Sequence, residues 1–549
     1  MPSIAGAARS RAFRFLIFPL VFYALFLFVY TYPRMLSFGT HVFSDRHDGL
    51  SFVWNIWWVD HAVTALHRAP WSTTMVYYPE GMSLLPHTLS PLNGFLGIGL
   101  LRIFPLDQTY NVLFLFGFLG GGLFMFFLAW DRSRSYWGSL GAGFLFTFSS
   151  YHFAHAMGHL NLVSLQWIPL FVLFFLRLLE KPKVVNAAFA ALFLFATALT
   201  DYYYAFYMVL LGVLLVVWEA WKRRDALFAV RKAHLAAIAV FILASLASTG
   251  VLFHSLAKIS AREAIIGHSA ANQSLDLFDP IVWGPLWKFS SLTKPYWTKV
   301  PRNPLESNVH FGLMFLLALA LIAAGRKKLG KEYPDFWLFA GFVFGVLALG
   351  PRLHVLGRAL PIPMPYGLLE AAVPALRISG VPARMIVVAL LAGAMAFAMG
   401  YSHLMRGPFK GRAVRALFFI VLIIELFPLP TQANKIVVPD YVRALKATPG
   451  EGAALDLVDS ETPLSLYYQT VHGKPLSYGF TARTPARLIE RKKELLRLAG
   501  KLPENIPLLR ERFGVRWIIA PKDFPGTEGL KPIGQPGDVR LFELRSDRP

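Results

Sequence analysis

A run of about 20 apolar residues leaves few folds open, because a helix of that length crosses a bilayer core while satisfying its own backbone. This chain of 549 residues carries about eleven segments that approach such a length. They lie near 14–31, 109–130, 136–151, 162–178, 184–200, 203–221, 234–253, 310–324, 335–350, 385–402 and 413–430. Only 16% of its residues are charged and 55% are hydrophobic, whereas a soluble domain carries about 25% charge. The expected fold class is an α-helical polytopic membrane protein. The piece 92–105, LNGFLGIGLLRIFP, is short, glycine-rich and interrupted by Arg102. It reads as an interfacial or re-entrant helix rather than a span.

Lys and Arg orient the segments. With the N-terminus in the cytoplasm, the cytoplasmic connections are DRSRS (131–135), LEKPK (179–183), KRRDALFAVRKA (222–233), GRKKLGKEYP (325–334) and HLMRGPFKGR (403–412), and each is basic. The opposite connections around 152–161 and 201–202 contain neither Lys nor Arg, which is the positive-inside pattern of a plasma membrane protein. Counting 92–105 as a span would invert every later loop. The net charge of +22 therefore reads as topology signal and lipid-headgroup contact, and nucleic acid is excluded as a partner. Arg9, Arg11 and Arg14 precede the first apolar run, but no small-residue cleavage site comes before Tyr32-Pro33. The first run is expected to be an uncleaved span.

The outer face then receives a long first loop (32–108), the turn YHFAHAMGHLN (151–161), TDYYY (200–204), loops at 254–309 and 351–384, and the tail. From about 431 the composition becomes charged and mixed. GAALDLV (452–458) and VRWIIAP (515–521) read as buried strands, and TPARLIERKKELLRLA (484–499) as an amphipathic helix. The expected domains are 1–430, a membrane domain, and 431–549, a small extracytoplasmic α/β domain. The chain has no cysteine, so disulfide frameworks, thiolate metal sites and cysteine nucleophiles are excluded. It has no GxxxxGK[ST], GxGxxG after a strand, or GxSxG.

Chemistry-bearing residues gather on the outer side. The first loop contains FSDRHDGLSFVWNIWWVDH, with Asp45 and Asp48 just ahead of an expected helix at 49–66 whose tryptophans would lie at headgroup depth. A partly desolvated carboxylate there suits general-base work. The alternatives are that Asp48 caps the helix and that Asp45 pairs with Arg46 or a headgroup. Asp201 ends the apolar run 184–200 and precedes Tyr202 and Tyr203, where an ionisable group suggests function and tyrosines suit stacking on a sugar or isoprenoid. The alternative is an interfacial aromatic belt. His152, His155 and His159 are spaced to share a helical face, but no HExxH accompanies them, so no metal is assigned. A divalent cation on Asp45, Asp48 or Asp201 is the one cofactor left open. Arg352, Arg358, Arg377 and Arg384 run against the charge rule on the outer side, and Arg352, Arg377 and Arg384 are the candidates to fork onto a donor phosphate. Trp57, Tyr77, Tyr78, Glu80, His87, His155, His159, Tyr202 and Tyr203 are the expected substrate-binding residues.

The acidic motif SDRHDG in a long first outer loop, the multiple spans after it and the outer C-terminal domain resemble the GT-C membrane glycosyltransferases. That superfold includes protein O-mannosyltransferases, aminoarabinose transferases and oligosaccharyltransferases. YYPEGMSLLPHTLSP, MGHLNLVSLQWIPL, LTDYYY, ESNVHFG, LRISGVPAR and LRERFGVRWIIAP look like segments of bacterial members, including YfhO-like proteins. The resemblance implies a polyprenyl-phosphate-linked sugar donor, transfer to a glycan, lipid or protein acceptor, and a first-loop base at Asp45 or Asp48. Asp201 is the nearest match to a second acid. The expectation is inverting, metal-independent transfer, with Arg377 and Arg384 on the leaving phosphate. A lipid-linked-sugar flippase and a non-catalytic subunit of the same fold are the alternatives.

Overall fold

The computed structural model describes residues 10–222, 232–263, 265, 267–300, 303–373, 376, 380–430, 432–459, 462–535 and 537–544. Each expected apolar segment carries a helix. Five helices are long and apolar enough to cross a membrane by length and composition: Ser10–Thr31, Leu106–Ser133, Tyr202–Lys222, Leu235–Arg262 and Pro382–Arg406. Shorter apolar helices occupy Val184–Thr200, Leu313–Ala324 and Asp335–Ala348. The segment expected to lie at the interface forms the helix Pro91–Leu100 of 10 residues, about 15 Å long at 1.5 Å per residue and too short to cross.

The chain divides into two compact units, one of Met1–Ser37, Val112–Leu252 and Gly267–Thr431, the other of Phe38–Asn111, Phe253–Ile266 and Gln432–Pro549. Expectation drew a single boundary near 431. The structure instead groups the first outer loop with the tail.

In the first unit the centre is Pro382–Arg406, whose apolar window is 83% buried. Its sequence, IVVALLAGAMAFAMG, keeps small residues where neighbours approach. A Cβ at Gly400 would stand 2.4 Å from Ile322, and one at Gly141 would stand 2.8 Å from Phe397. Small side chains let apolar helices close on each other where no hydrophobic effect drives them together. The N-terminal helix is fastened by two tyrosines, Tyr23 donating to the Leu140 carbonyl at 3.1 Å and Tyr30 to that of Ile423 at 2.8 Å.

The second unit is built on a four-stranded sheet in the order Ala453–Asp456, Val515–Pro521, Val539–Leu544, Leu530–Ile533. The first pair is parallel and the others antiparallel. The helix Ala486–Ala499 buries Leu488 and Leu495. Trp54, Trp58, Val76 and Leu84 of the first loop share one apolar core with Leu455, Trp517 and Ile518 of the tail. This corrects the expectation of a helix lying on the membrane surface. The helix Asp48–Asp60 is buried along most of its length, and Trp54 and Trp58 are 0% exposed. Their rings stack 5.9 Å apart, and their indole N–H groups donate to Gln469 Oε1 at 2.6 Å and the Pro70 carbonyl at 3.0 Å. Partnered indoles belong in a core as readily as at a headgroup.

Candidate active site

In the first unit, the turn after the helix Tyr136–Thr147 is organised by its histidines. Ser149 caps the short helix Ser150–His155. His152 is a brace: its two ring nitrogens lie 2.8 and 2.9 Å from the Thr147 and Val163 carbonyls, and its ring stacks on Phe118 at 3.9 Å. His155 and His159 turn toward each other, Nδ1 to Nδ1, at 3.0 Å. His155 is fully buried. Its Nε2 has no hydrogen-bond partner and stands 3.8 Å from Glu306 Oε2. Burial drives the His155 pKa well below its ordinary value, although Glu306 pulls the other way.

Glu306 belongs to the short helix Pro304–Ser307, whose cap Asn303 accepts from the Leu305 amide at 3.0 Å. Arg384 lies across its carboxylate, with Nε 3.0 and 3.1 Å from the two oxygens. Burial raises the Glu306 pKa, but the Arg384 charge outweighs it and holds the group at about 2. Arg384 reaches this position from the turn Pro382–Met385. Gly380 leads into that turn at φ +61°, where a Cβ would fall 1.9 Å from the His268 carbonyl oxygen, so only glycine fits. The Arg384 guanidinium also stands over the Tyr203 ring at 5.1 Å. Among the described residues its Nη1 makes no hydrogen bond.

Asp201 lies at the end of the helix Val184–Thr200 and is buried. It accepts from Asn161 Nδ2 at 2.7 Å and from the Tyr204 amide at 3.1 Å. Burial raises its pKa, opposed by the charge of Arg384. Tyr204 also bonds to the Tyr151 hydroxyl at 2.9 Å and the Leu162 carbonyl at 2.9 Å. The result is one polar cluster in which Asp201, Arg384, Glu306 and His155 are buried and His159, Tyr203 and Tyr202 are half-buried. Asn161 Oδ1 is a further buried acceptor without a partner.

Of the remaining phosphate candidates, Arg352 is exposed at the start of a hairpin strand, Arg352–Val355, and Arg377 lies outside the described residues. Glu306 was not among the expected site residues. The one hint to it was Arg384: an arginine on the side expected to be poor in cations calls for a carboxylate partner.

In the second unit, Asp45 Oδ1 accepts from the His47 and Gly49 amides at 3.1 and 3.0 Å. Asp45 therefore does the local capping. Asp48 is the first residue of its helix and half-buried. His87 is buried, with Nδ1 accepting from the Ala482 amide at 3.2 Å and Nε2 3.0 Å from Asn55 Oδ1. An accepting Nδ1 makes Nε2 the protonated nitrogen of a neutral ring. Burial first, and Arg483 second, push His87 down to about 4, while Asp48 opposes them. Asp48 and Arg483 thus both lie in the field of His87, and Arg483 is a buried residue that sequence reading passed over.

Other expected contacts have structural partners. Trp57 stacks on His61 at 4.9 Å. Tyr77 donates to the Gly479 carbonyl at 3.3 Å and lines a cavity of about 400 Å³ with Phe480, Thr481, Thr484 and Lys492. The Tyr78 amide donates to the Leu476 carbonyl at 3.1 Å. Glu80 is ion-paired with Arg487.

Apolar helices of crossing length, with charged side chains buried together in the turns and short helices beside them, define a polytopic membrane protein with an internal polar site. More narrowly, the chain belongs to the family described as domain of unknown function (DUF6311), which matches residues 14–427. No curated protein matches it. Among solved structures, the chain is similar to the oligosaccharyltransferase of Archaeoglobus fulgidus in its apo form, at 11% identity and a TM-score of 0.47, covering 92% of this chain and 69% of that one. The archaeal oligosaccharyltransferase AglB of Archaeoglobus fulgidus, in complex with an inhibitory peptide and a dolichol-phosphate, gives 11% identity and 0.48, over 97% and 74%. ArnT from Cupriavidus metallidurans in the apo state gives 13% and 0.41, over 96% and 98%. Likenesses at this level carry no weight for substrate or mechanism.

Proposed function

We propose that the chain is a membrane glycosyltransferase that moves a sugar from a polyprenyl-phosphate donor to an acceptor on the extracytoplasmic face of the plasma membrane. The observation that carries the reading is the buried cluster around Arg384. Its guanidinium is fixed by Glu306 and Tyr203 and keeps Nη1 free of hydrogen bonds among the described residues. A guanidinium held in this way suits a phosphate whose negative charge grows as it leaves, and fixed charge aimed at developing charge is the largest electrostatic aid to such a step.

In the reaction an acceptor hydroxyl or amine attacks the anomeric carbon, the sugar–phosphate bond breaks with inversion, and polyprenyl phosphate departs. Asp201 and Tyr203 orient the sugar or the phosphate. The charge asymmetry of the loops supports the outer side. The sequence carries no nucleotide-binding motif, and a sugar used there must arrive on a lipid. Asp48 of the first loop is the base that the sequence motif implies.

The deciding experiment is turnover of a panel of polyprenyl-phosphate sugars by purified protein in lipid nanodiscs, with binding of the unsugared lipid phosphate measured alongside. Turnover of one donor, weakened at least tenfold by Arg384→Gln, supports the reading. If no member of the panel binds or turns over, the transferase reading fails.

A further inference from the structure

The pair of histidines in the 151–161 turn is not needed to hold a sugar or a phosphate, and its geometry is unusual for a protein interior. Two imidazole nitrogens, from His155 and His159, stand 3.0 Å apart. Such a pair shares a single proton. The second nitrogen of His155 is fully buried and makes no hydrogen bond. It faces a carboxylate 3.8 Å away. One ligating atom from each of His155, His159 and Glu306 lies within 4.8 Å of the others.

A buried imidazole nitrogen left without a partner bears its desolvation cost uncompensated. A tetrahedral ion with metal–nitrogen distances of about 2.0–2.1 Å holds its ligands about 3.3 Å apart. With one ligand atom taken from each residue, the three lie within 4.8 Å of one another, and side-chain rotations would draw them in to that spacing. Arg384 does not exclude an ion. It approaches Glu306 through Nε and Nη2, and a carboxylate offers about four lone-pair positions, so the side turned to His155 remains available.

We propose that His155, His159 and Glu306 form a binding site for a divalent transition-metal ion, of which zinc is the best fit. Two imidazoles and one carboxylate favour zinc or cobalt over magnesium or calcium, which take oxygen ligands. Three protein ligands leave a fourth position for water or another oxygen. The ion ties the turn after the helix Tyr136–Thr147 to the Pro304–Ser307 segment. The expectation of metal-independent transfer concerned the chemistry of the sugar. This ion is assigned to holding the cluster together, and its presence does not depend on the transferase reading.

The test uses the full chain purified in detergent, stripped with a chelator and dialysed against zinc or cobalt. Metal content is measured by mass spectrometry, together with the melting temperature and the visible spectrum of the cobalt form. The expected result is about one ion per chain, a raised melting temperature, and the intense absorption of four-coordinate cobalt. His159→Ala, at a half-exposed position, should lose the ion while still folding, and His155→Ala and Glu306→Gln should lose it too. His254→Ala, at an exposed position elsewhere, should keep it. Absence of zinc and cobalt binding in the wild type, retention of the ion by His159→Ala, or binding of magnesium alone would each overturn the site. None of these results depends on turnover, so a failed metal site and a failed transferase reading remain distinguishable.

Discussion

Arg384 and Glu306 are 78 residues apart in sequence and form a forked ion pair, with both residues buried. Breaking such a pair from one side leaves an uncompensated charge in the interior, which costs about 3–5 kcal/mol. Arg384→Ala should therefore lower the melting temperature sharply and abolish turnover. Replacing both residues by apolar ones of similar volume, Arg384→Met with Glu306→Leu, should recover most of the stability, because neither charge is then stranded. It should not recover turnover. Recovery of both would show that the pair only builds the fold.

Asp45 and Asp48 are separable by their hydrogen bonds. Asp45→Ala removes the acceptor for the His47 and Gly49 amides and should cost about 0.5–2 kcal/mol, as the loss of a capping side chain does. Asp45→Asn keeps an oxygen in place and should be close to wild type in both stability and turnover. Asp48→Asn keeps the size and shape of the side chain and should leave the protein folded, at a cost of about 1 kcal/mol or less. Turnover should fall at least a hundredfold, the lower end of a general base's contribution. Equal turnover by Asp48→Asn and wild type would remove Asp48 from the mechanism.

Much of this arrangement was legible before the structure. The apolar runs marked the helices, since length and composition alone decide what can cross a bilayer. Arginines where the charge rule expects few singled out Arg384, and the end of the 184–200 run singled out Asp201. Glu306 was not legible as its partner, because the pairing is set by packing over a long stretch of chain and no local pattern records it. Trp54 and Trp58 show a different limit. An aromatic face on a helix near a span has the same periodicity whether it meets headgroups or a protein core. Only the tail, more than 350 residues later, decides between them. Asp45 and Asp48 show a third limit: both precede a helix, and which carboxylate caps depends on a loop conformation that spacing does not fix.

His87 should make the second unit acid-sensitive. The folded state holds it neutral, with a pKa near 4 against an ordinary 6.5. Below about pH 6.5 the unfolded chain takes up a proton that the folded one refuses. The stability His87 contributes is thus complete above that pH and is lost as pH falls toward 4, by up to about 1.4 kcal/mol per unit. His87→Gln can still accept from the Ala482 amide and should lower stability at pH 7, but its melting temperature should fall less steeply between pH 7 and 5. Parallel curves for the two proteins would mean that other groups carry the acid response.

Gln469 tests whether the first loop and the tail are one folding unit. Its side chain is 0% exposed. It accepts from Trp54 Nε1 and donates to the Met75 and Lys474 carbonyls at 2.6 and 3.0 Å. A buried amide bonded at both ends specifies one arrangement of its neighbours. Gln469→Leu strands the indole N–H and the Lys474 carbonyl, each at about 1–3 kcal/mol, while the Met75 carbonyl keeps the Leu476 amide at 2.8 Å; the loss of hydrogen bonding should exceed that of Trp54→Phe, which strands only the Gln469 oxygen. The same reasoning applies to the whole tail. A chain ending at residue 431 would expose Trp54, Trp58, Val76 and Leu84 of the first loop, which pack in the common core. Limited proteolysis should then cut within 38–111 in the truncated chain and spare that stretch in the full one. If the loop stays protected without the tail, its fold does not depend on that core.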